Sequence, residues 1–241
     1  MYLLEGKISV KAALASPYRI VKEILIDDKK KDRDTTFIMH RAKEANIVIK
    51  RCKREEIDVL CDGKTHGGIA AYVEERTFQK IDEVLNDKGF LALIEGVEDP
   101  FNFGYILRSL YAAGCDGIIM PERNWTSAAS TLAKSSAGAS ELLKMVVSND
   151  FEETLQVLKK HNYKIVCANR NDHSIEMYDY DFTQKVCICI GGDKRGLSKI
   201  IEENSDQDVY IPYNTDFRNA LSAASASTIL AFEIMRQRRT N

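Results

Sequence analysis

The sequence predicts an α/β protein with a small N-terminal domain and a larger C-terminal domain whose sheet is mostly parallel. Three observations support this prediction. Short apolar runs alternate with amphipathic segments along the chain, which is the pattern of strands that alternate with helices. A polar stretch at 74–88 interrupts this alternation, and the charge balance differs between the N-terminal and C-terminal parts of the chain. We therefore predict a first domain at residues 1–76, a linker at 77–89 and a second domain at 90–241.

The start of the second domain shows the strand–helix–strand pattern most clearly. Residues 91–94 and 118–120 are apolar runs typical of buried parallel strands, and residues 101–113 form an amphipathic segment between them. Asp99 and Gly114 stand where residues of their types begin and end helices. The apolar stripe of the predicted helix consists of Phe103, Ile106, Leu107, Leu110 and Ala113.

The alternation continues through both domains. In the first domain, the sequence predicts helices at 9–14, 36–45 and 54–60, and strands at 20–26, 47–49 and 69–73. In the second domain, it predicts helices at 151–160, 197–203 and 219–239, and strands at 163–167, 185–190 and 209–211. A run of small residues at 127–140 permits close approach of another backbone. We expect the strands of the second domain to form a parallel sheet with helices on both faces.

Composition narrows the class of protein. The chain has 241 residues, 44% of them hydrophobic and 29% charged, and these values are ordinary for a globular protein. It contains no apolar run of membrane-spanning length and no signal-peptide core at its N-terminus. The six cysteines form no CxxC pair and no spacing typical of metal ligands, so we expect reduced, buried thiols, no metal and a cytoplasmic location.

The charge is distributed unevenly along the chain. Residues 1–54 contain fourteen lysines and arginines but seven acidic residues, so this part carries +7. Because the whole chain carries −2, the remainder carries −9. A basic module of this kind favours contact with a polyanion through the first domain. The alternative is a charged surface that only keeps the protein in solution.

Three segments of the second domain contain residues typical of ligand binding. Arg108 lies off the apolar stripe of its helix, near a strand end where α/β proteins bind ligands, although a solvated surface arginine is the alternative. The turn GGDKRGLS at 191–198 presents backbone N–H groups, yet it matches neither a Walker A loop nor a dinucleotide fingerprint. Finally, Ile211-Pro212 precedes an Ala/Ser-rich run at 218–227.

Together these segments resemble one family. Asn102-x-Gly104-x-x-x-Arg108, the glycine-rich turn, and Ile211-Pro212 are similar, in this order, to the three motifs of the SpoU/TrmH group. Members of that group are S-adenosylmethionine-dependent RNA ribose 2′-O-methyltransferases of the SPOUT superfamily. The first domain resembles the small substrate-binding domain that precedes many of their catalytic domains. That resemblance rests on Leu4-Glu5-Gly6 with Val10 and Leu14, and on His66-Gly67-Gly68.

The resemblance implies an L30e-like α/β domain, a catalytic domain with a deep trefoil knot, and a homodimer. It implies S-adenosylmethionine as cofactor and RNA as partner, with ribosomal RNA favoured, transfer RNA as an alternative, and neither DNA nor a membrane involved. By position in the motifs, the implied cofactor-binding residues are Gly191, Gly192, Ile211 and Leu221. The implied catalytic residues are Asn102, Arg108, Asp193 and Ser222.

Two positions differ from the pattern of the family. Its third motif usually reads Ser-Leu-Asn, whereas this chain has Ala220-Leu221-Ser222, and Asp193 replaces the glutamate of the second motif. Asn219 could supply the missing amide from a shifted position, because the preceding loop is about one residue longer than usual in the family. A guanidinium keeps its positive charge in proteins, which makes Arg108 better suited to stabilising an alkoxide than to removing a proton. The rival interpretation is an RNA-binding protein that retains the knotted fold but has lost catalysis.

Overall fold

The structure, a computed structural model, describes residues 1–61, 64–123 and 128–239. These residues form two compact units. The first unit contains Met1–Thr77 and the described residues of Asn124–Leu142. The second unit contains Phe78–Arg123 and the described residues of Leu143–Asn241. The domain boundaries of the sequence analysis stay a prediction, and the segment at 128–142 packs with the first unit although it follows the second unit's first strands.

The described elements are numbered in chain order. The strands are β1 (Tyr2–Glu5), β2 (Val21–Asp27), β3 (Val48–Cys52), β4 (Ile69–Val73), β5 (Phe90–Glu95), β6 (Gly117–Pro121), β7 (Met145–Ser148), β8 (Lys164–Ala168), β9 (Ile175–Glu176), β10 (Val186–Gly191) and β11 (Gln207–Tyr210). The helices are α1 (Gly6–Ala15), α2 (Arg33–Glu44), α3 (Arg54–Leu60), α4 (Pro100–Ala112), α5 (Ala129–Ser135), α6 (Ala139–Leu142), α7 (Phe151–Lys160), α8 (Lys199–Glu203) and α9 (Ala223–Arg239).

The first unit is built on a four-stranded sheet in the order β1-β4-β2-β3. β2 and β3 are parallel, whereas β4 is antiparallel to both of its neighbours. Its core includes residues of the sheet, of α1 and α2, and also Ala129 and Ala133 of α5. The buried Arg19 guanidinium lies 2.5 Å from the buried Glu141 carboxylate, and Lys134 pairs with Glu5. Apolar contact and charge pairing therefore both attach the 128–142 segment to this unit.

The second unit contains a seven-stranded sheet in the order β7-β6-β5-β10-β8-β11-β9. Every strand pair in it is parallel, which confirms the predicted fold class for this part of the chain. β10 lies between β5 and β8, and Gly191 at its end pairs with Glu95 at the end of β5. Two loops therefore leave neighbouring strands at the same edge of the sheet. The threading that would make a trefoil knot stays a prediction.

Helix α4 forms where the sequence predicts it. The Asp99 side chain accepts a hydrogen bond from the Asn102 N–H at 2.8 Å and caps the first turn. The helix ends before Gly114, whose φ of +85° is a conformation that glycine adopts without strain. Its predicted apolar stripe is buried against the rest of the unit.

Some predicted elements are wrong or incomplete. The last helix begins at Ala223 instead of at 219, because hydrogen bonds hold residues 219–222 in an irregular loop. Strands β1, β7 and β9 were not predicted; each has two to four residues, too few to establish an alternating pattern. Of the small-residue run at 127–140, Ser127 lies outside the described residues. In the described part of the chain, no helix is long and apolar enough to cross a membrane.

Candidate functional site

A cavity of about 470 Å³ lies at the carboxyl ends of β10, β8 and β11. This is the edge of a parallel sheet where ligands bind in α/β proteins, and the volume is in the range of about 300–1,000 Å³ that small-molecule sites occupy. Three stretches of chain supply most of its wall. They are the turn after β10 with Gly191, Gly192, Asp193, Gly196 and Leu197; the end of β8 with Ala168, Asn169 and Arg170; and the loop after β11 with Ile211, Tyr213, Arg218, Asn219, Ala220 and Leu221.

A second cavity of about 130 Å³ lies beside the first, between the loop after β5 and the turn after β10. Its wall consists of Gly96, Val97, Glu98, Asp99, Asn102, Asp193, Lys194 and Ala223. Asp193 and Ala223 belong to the walls of both cavities. The site therefore has a larger and a smaller compartment that share these two residues.

The glycines of the turn are required because two stretches of backbone touch there. A Cβ atom on Gly192 would lie 2.1 Å from the carbonyl oxygen of Gly96, and one on Gly191 would lie 2.2 Å from the carbonyl carbon of Gly196. Real Cβ atoms essentially never come this close to backbone atoms. The Glu95 carboxylate also accepts a hydrogen bond from the Ser198 N–H at 2.6 Å. The turn is thus packed directly against the end of β5.

Asp193 joins the turn to the last helix. Its carboxylate accepts a hydrogen bond from the N–H of Ala223, the first residue of α9, at 2.7 Å. A negative charge at a helix N-terminus is favourable because the unpaired N–H groups there carry partial positive charge. One carboxylate therefore positions the start of α9 and lines both compartments.

Tyr213 shapes the loop that follows β11. Its hydroxyl group donates a hydrogen bond to the Asn219 carbonyl at 3.3 Å and accepts one from the Leu221 N–H at 3.1 Å. These two bonds close the loop on itself and hold Leu221 in the wall of the larger compartment.

Tyr210, which also lines this compartment, has a perturbed phenol. Loss of hydration raises the pKa of the Tyr210 phenol, and its hydrogen bond with Glu176 raises this pKa further.

The structure brings six of the eight residues implied by the motifs into these two compartments. Gly191, Gly192, Ile211, Leu221 and Asp193 line the larger one, and Asn102 with Asp193 lines the smaller one. Ser222 and Arg108 lie outside the described lining of both. The Ser222 hydroxyl accepts a hydrogen bond from the Ser225 N–H at 3.2 Å, so it caps the first turn of α9.

Arg108 is exposed on the outer surface of α4. Three large aromatic side chains of the same helix are also exposed, namely Phe101, Tyr105 and Tyr111. The inner surface of α4 faces α9, where the Thr228 hydroxyl donates to the Ser109 hydroxyl at 2.7 Å. Within one chain, Arg108 therefore belongs to an exposed aromatic surface.

Sequence reasoning missed several residues of the site, among them Asn169, Arg170 and Tyr213, and it missed Glu95, which holds the turn after β10. The Arg170 guanidinium lies 5.4 Å from the centroid of the Tyr210 ring, and the Asn169 amide donates to the Glu202 carboxylate at 3.2 Å. Their position just after predicted strands could have identified them, because residues there lie at the edge of the sheet where α/β proteins bind ligands. Within residues 1–61, 64–123 and 128–239, no group of three His, Cys, Asp or Glu side chains is arranged to hold a metal ion.

The fold and the compartments together define an α/β protein with a ligand-sized cavity at the carboxyl edge of its parallel sheet. Comparison with known families gives the class more closely. Residues 89–232 match the SpoU rRNA Methylase family, and residues 3–79 match the domain described as RNA 2′-O ribose methyltransferase substrate binding. The chain belongs to the SpoU methyltransferase family, as the three motifs indicated.

Similar proteins cover nearly the whole chain. A protein of Staphylococcus saprophyticus described as a TrmH family tRNA/rRNA methyltransferase is 30% identical and covers 98% of this chain and 96% of its own length. The solved structure of the SpoU methyltransferase AviRb from Streptomyces viridochromogenes, in complex with AdoMet, has a TM-score of 0.83 at 21% identity, covering 99% of this chain and 91% of that one. A structure described as an RNA 2′-O ribose methyltransferase has a TM-score of 0.79 at 20% identity, covering 98% and 88%. These two structures have the same fold.

Proposed function

We propose that this protein transfers a methyl group from S-adenosylmethionine to a ribose 2′-hydroxyl of RNA, with ribosomal RNA as the favoured substrate. The observation that carries the proposal is the pair of compartments that share Asp193 and Ala223. Methyl transfer requires a donor and an acceptor side by side, and two adjoining compartments at one sheet edge provide for both.

The larger compartment suits the cofactor. Its volume of about 470 Å³ fits a ligand of this size, and its wall combines backbone groups at Gly191 and Gly192 with the apolar side chains of Ile211 and Leu221. The two glycines let the turn lie against Gly96 and fold closely on Gly196, and this packing brings the backbone of the turn into the wall of the compartment. When bound, S-adenosylmethionine supplies a methyl group already activated by a sulfonium, so the protein's own contribution is to align the acceptor.

The smaller compartment suits the acceptor ribose. Asn102 and Asp193 offer hydrogen-bonding groups to a hydroxyl there, and its volume of about 130 Å³ admits a sugar-sized group. The hydroxyl proton leaves through a nearby phosphate or water. Asn102 and Asp193 would hold the oxygen toward the larger compartment, which is the alignment that lowers the barrier.

In this proposal, Arg108 acts at the site of the other subunit of a homodimer. Phe101, Tyr105 and Tyr111 are about half exposed on the surface of α4 that also carries Arg108, and large aromatic residues are enriched at protein interfaces. A second copy packed on this surface would bury the rings and bring Arg108 toward the compartments of its partner. A guanidinium there would bind the acceptor's phosphate and stabilise negative charge on the 2′-oxygen.

The basic first domain would bind RNA through phosphate contacts. In residues 1–54, most lysines and arginines are exposed, and the net charge of this part is +7. Phosphate contacts fix position without selecting sequence. Lys29, Lys31, Lys53 and Arg54 should be replaced together by glutamine. The logarithm of RNA affinity should then fall less steeply with the logarithm of salt concentration, its slope being smaller in magnitude by about 3–4, which a salt titration measures. An unchanged slope would remove this role from the first domain.

The decisive experiment combines binding with product analysis. Isothermal titration should detect S-adenosylmethionine binding to the folded protein, and label from the methyl group should enter unmodified ribosomal RNA. Because a 2′-O-methyl group blocks alkaline cleavage, the labelled product should resist alkali. Label in alkali-sensitive nucleotides would mean base methylation, and preferential labelling of transfer RNA would mean a transfer RNA substrate. A folded protein that binds RNA but no cofactor would support the non-catalytic alternative.

Variants of the two motif-one residues test the dimer. Arg108→Ala should abolish methyl transfer while folding and cofactor binding stay intact, since Arg108 is exposed and outside both compartments. If Arg108 acts across the dimer, mixing the inactive Arg108→Ala and Asn102→Ala proteins should restore about a quarter of wild-type activity through mixed dimers with one intact site. No recovery on mixing would assign Arg108 to its own chain, and a monomer in sedimentation would exclude the dimer.

The family and the reduced cysteines support a cytoplasmic location.

A further inference from the structure

The loop after β11 exposes an aromatic ring beside the larger compartment. This loop, residues 212–222, follows Ile211 and precedes α9. Phe217 within it is 53% exposed, whereas the adjacent Arg218 lines the compartment. About half of Phe217 thus remains open to solvent beside the compartment, where a ligand that reaches the site can contact it.

The ring of Phe217 is held in place rather than left loose. Its centroid lies 6.0 Å from that of Tyr213, with the ring planes tilted by 42°. Tyr213 in turn is fixed by its two hydrogen bonds within the loop, and the Phe217 N–H donates to the Thr215 hydroxyl at 3.4 Å. The contact is the tilted aromatic pair that ring quadrupoles favour, and it leaves about half of the Phe217 side chain open to solvent.

The chemistry of this position fits a nucleobase. An exposed aromatic ring next to an arginine is the combination by which proteins hold single-stranded RNA, because bases stack on the ring and phosphates pair with the guanidinium. Cofactor binding does not require Phe217, which lies outside the described lining of the larger compartment. Tyr213 and Arg218, by contrast, belong to that lining, so they place the ring at the edge of the compartment.

We propose that Phe217 stacks on a base of the RNA substrate that flanks the modified nucleotide, while Arg218 binds the intervening phosphate. The inference rests on the proposed function, since it takes a nucleotide next to the modified one to the edge of the larger compartment, which adjoins the acceptor compartment. It makes Phe217 a substrate-specificity residue that favours unpaired RNA, because a base must be unstacked from its neighbours to meet the ring.

The test compares two RNA probes and matched variants. The probes are a short oligoadenylate, whose purines stack well, and an abasic oligonucleotide of equal length that keeps the phosphates. Phe217→Ala should bind the oligoadenylate about ten-fold or more weakly, and Phe217→Trp should restore binding. Neither change should alter binding of the abasic strand. Tyr178→Ala is the control, because Tyr178 is 57% exposed in the same unit but outside both compartments.

Kinetics and cofactor binding complete the test. With saturating S-adenosylmethionine, Phe217→Ala should raise KM for RNA and leave the dissociation constant of the cofactor unchanged. If the wild type methylates RNA but Phe217→Ala binds the oligoadenylate normally, the inference is wrong and the proposed function stands. Equal weakening on both probes, or a changed oligomeric state, would make the ring a structural or subunit contact and overturn the inference. A wild type that neither binds cofactor nor methylates would instead refute the proposed function.

Discussion

Replacing Gly192 with alanine tests whether the backbone contact between two loops makes the site. An added Cβ would lie 2.1 Å from the Gly96 carbonyl oxygen, 2.4 Å from its carbonyl carbon and 3.0 Å from the Val97 nitrogen. All three are backbone atoms at the end of β5, so no flexible side chain can move aside. The turn after β10 must therefore retreat from the Gly96 loop by about 1 Å.

The magnitude follows from this displacement. Overpacking of a tight contact costs typically about 1–3 kcal/mol of folding free energy, so Gly192→Ala should lower stability by that amount without preventing folding. A shift of about 1 Å in groups that position a ligand costs roughly 100-fold in function. Because Gly192 and Asp193 both line the larger compartment, cofactor binding should weaken far more than the loss of stability alone would suggest.

The assay pairs chemical denaturation with isothermal titration of S-adenosylmethionine. Gly114→Ala is the matched control: Gly114 has a φ of +85° and no atom within 4 Å of an added Cβ, so it should cost roughly 1–2 kcal/mol from backbone strain alone. Its cofactor affinity should equal that of the wild type. Gly192→Ala protein with wild-type cofactor affinity would refute the claim that this loop contact shapes the site.

Three further predictions concern other parts of the second unit. Asp193→Ala should destabilise the protein by about 0.5–2 kcal/mol in urea denaturation, because the Ala223 N–H loses its acceptor; no loss would contradict the capping role. Arg238→Met should cost about 2–4 kcal/mol, because Arg238 donates to the carbonyls of Phe182, Lys88, Gly89 and Gln184; a smaller shift of the midpoint would mean that water replaces it. In a thiol titration of the native protein, the half-buried Cys61 should react first, since the other five cysteines are buried and burial raises the pKa of the Cys115 thiol. Rapid reaction of all six would contradict this core.

The sequence was most informative where one element fixes its own ends. Helix α4 has an N-capping aspartate, an apolar stripe and a terminal glycine, all within one short stretch, and each was predicted correctly. The start of α9 was misplaced because bonds to the Tyr213 hydroxyl hold the preceding residues in a loop, and because Asp193, thirty residues earlier in the chain, binds the Ala223 N–H. The local cap, Ser222, lies in an Ala/Ser-rich run where other serines give the same signal. Site residues such as Tyr213 were missed for the same reason, because their roles depend on how the loop closes.

By itself, the sequence determined most of the longer strands and helices, which surfaces of them are buried, and which motifs the family shares. Hydrophobic periodicity reports these properties because they depend on the residue's own element. Only the tertiary structure decided that β10 inserts between β5 and β8, that the Gly96 loop touches Gly192, and that Arg108 faces outward from its chain. The pairing of β10 with β5 and the contact of Gly96 with Gly192 join segments about a hundred residues apart, and a pattern that shows a surface is buried does not say what covers it.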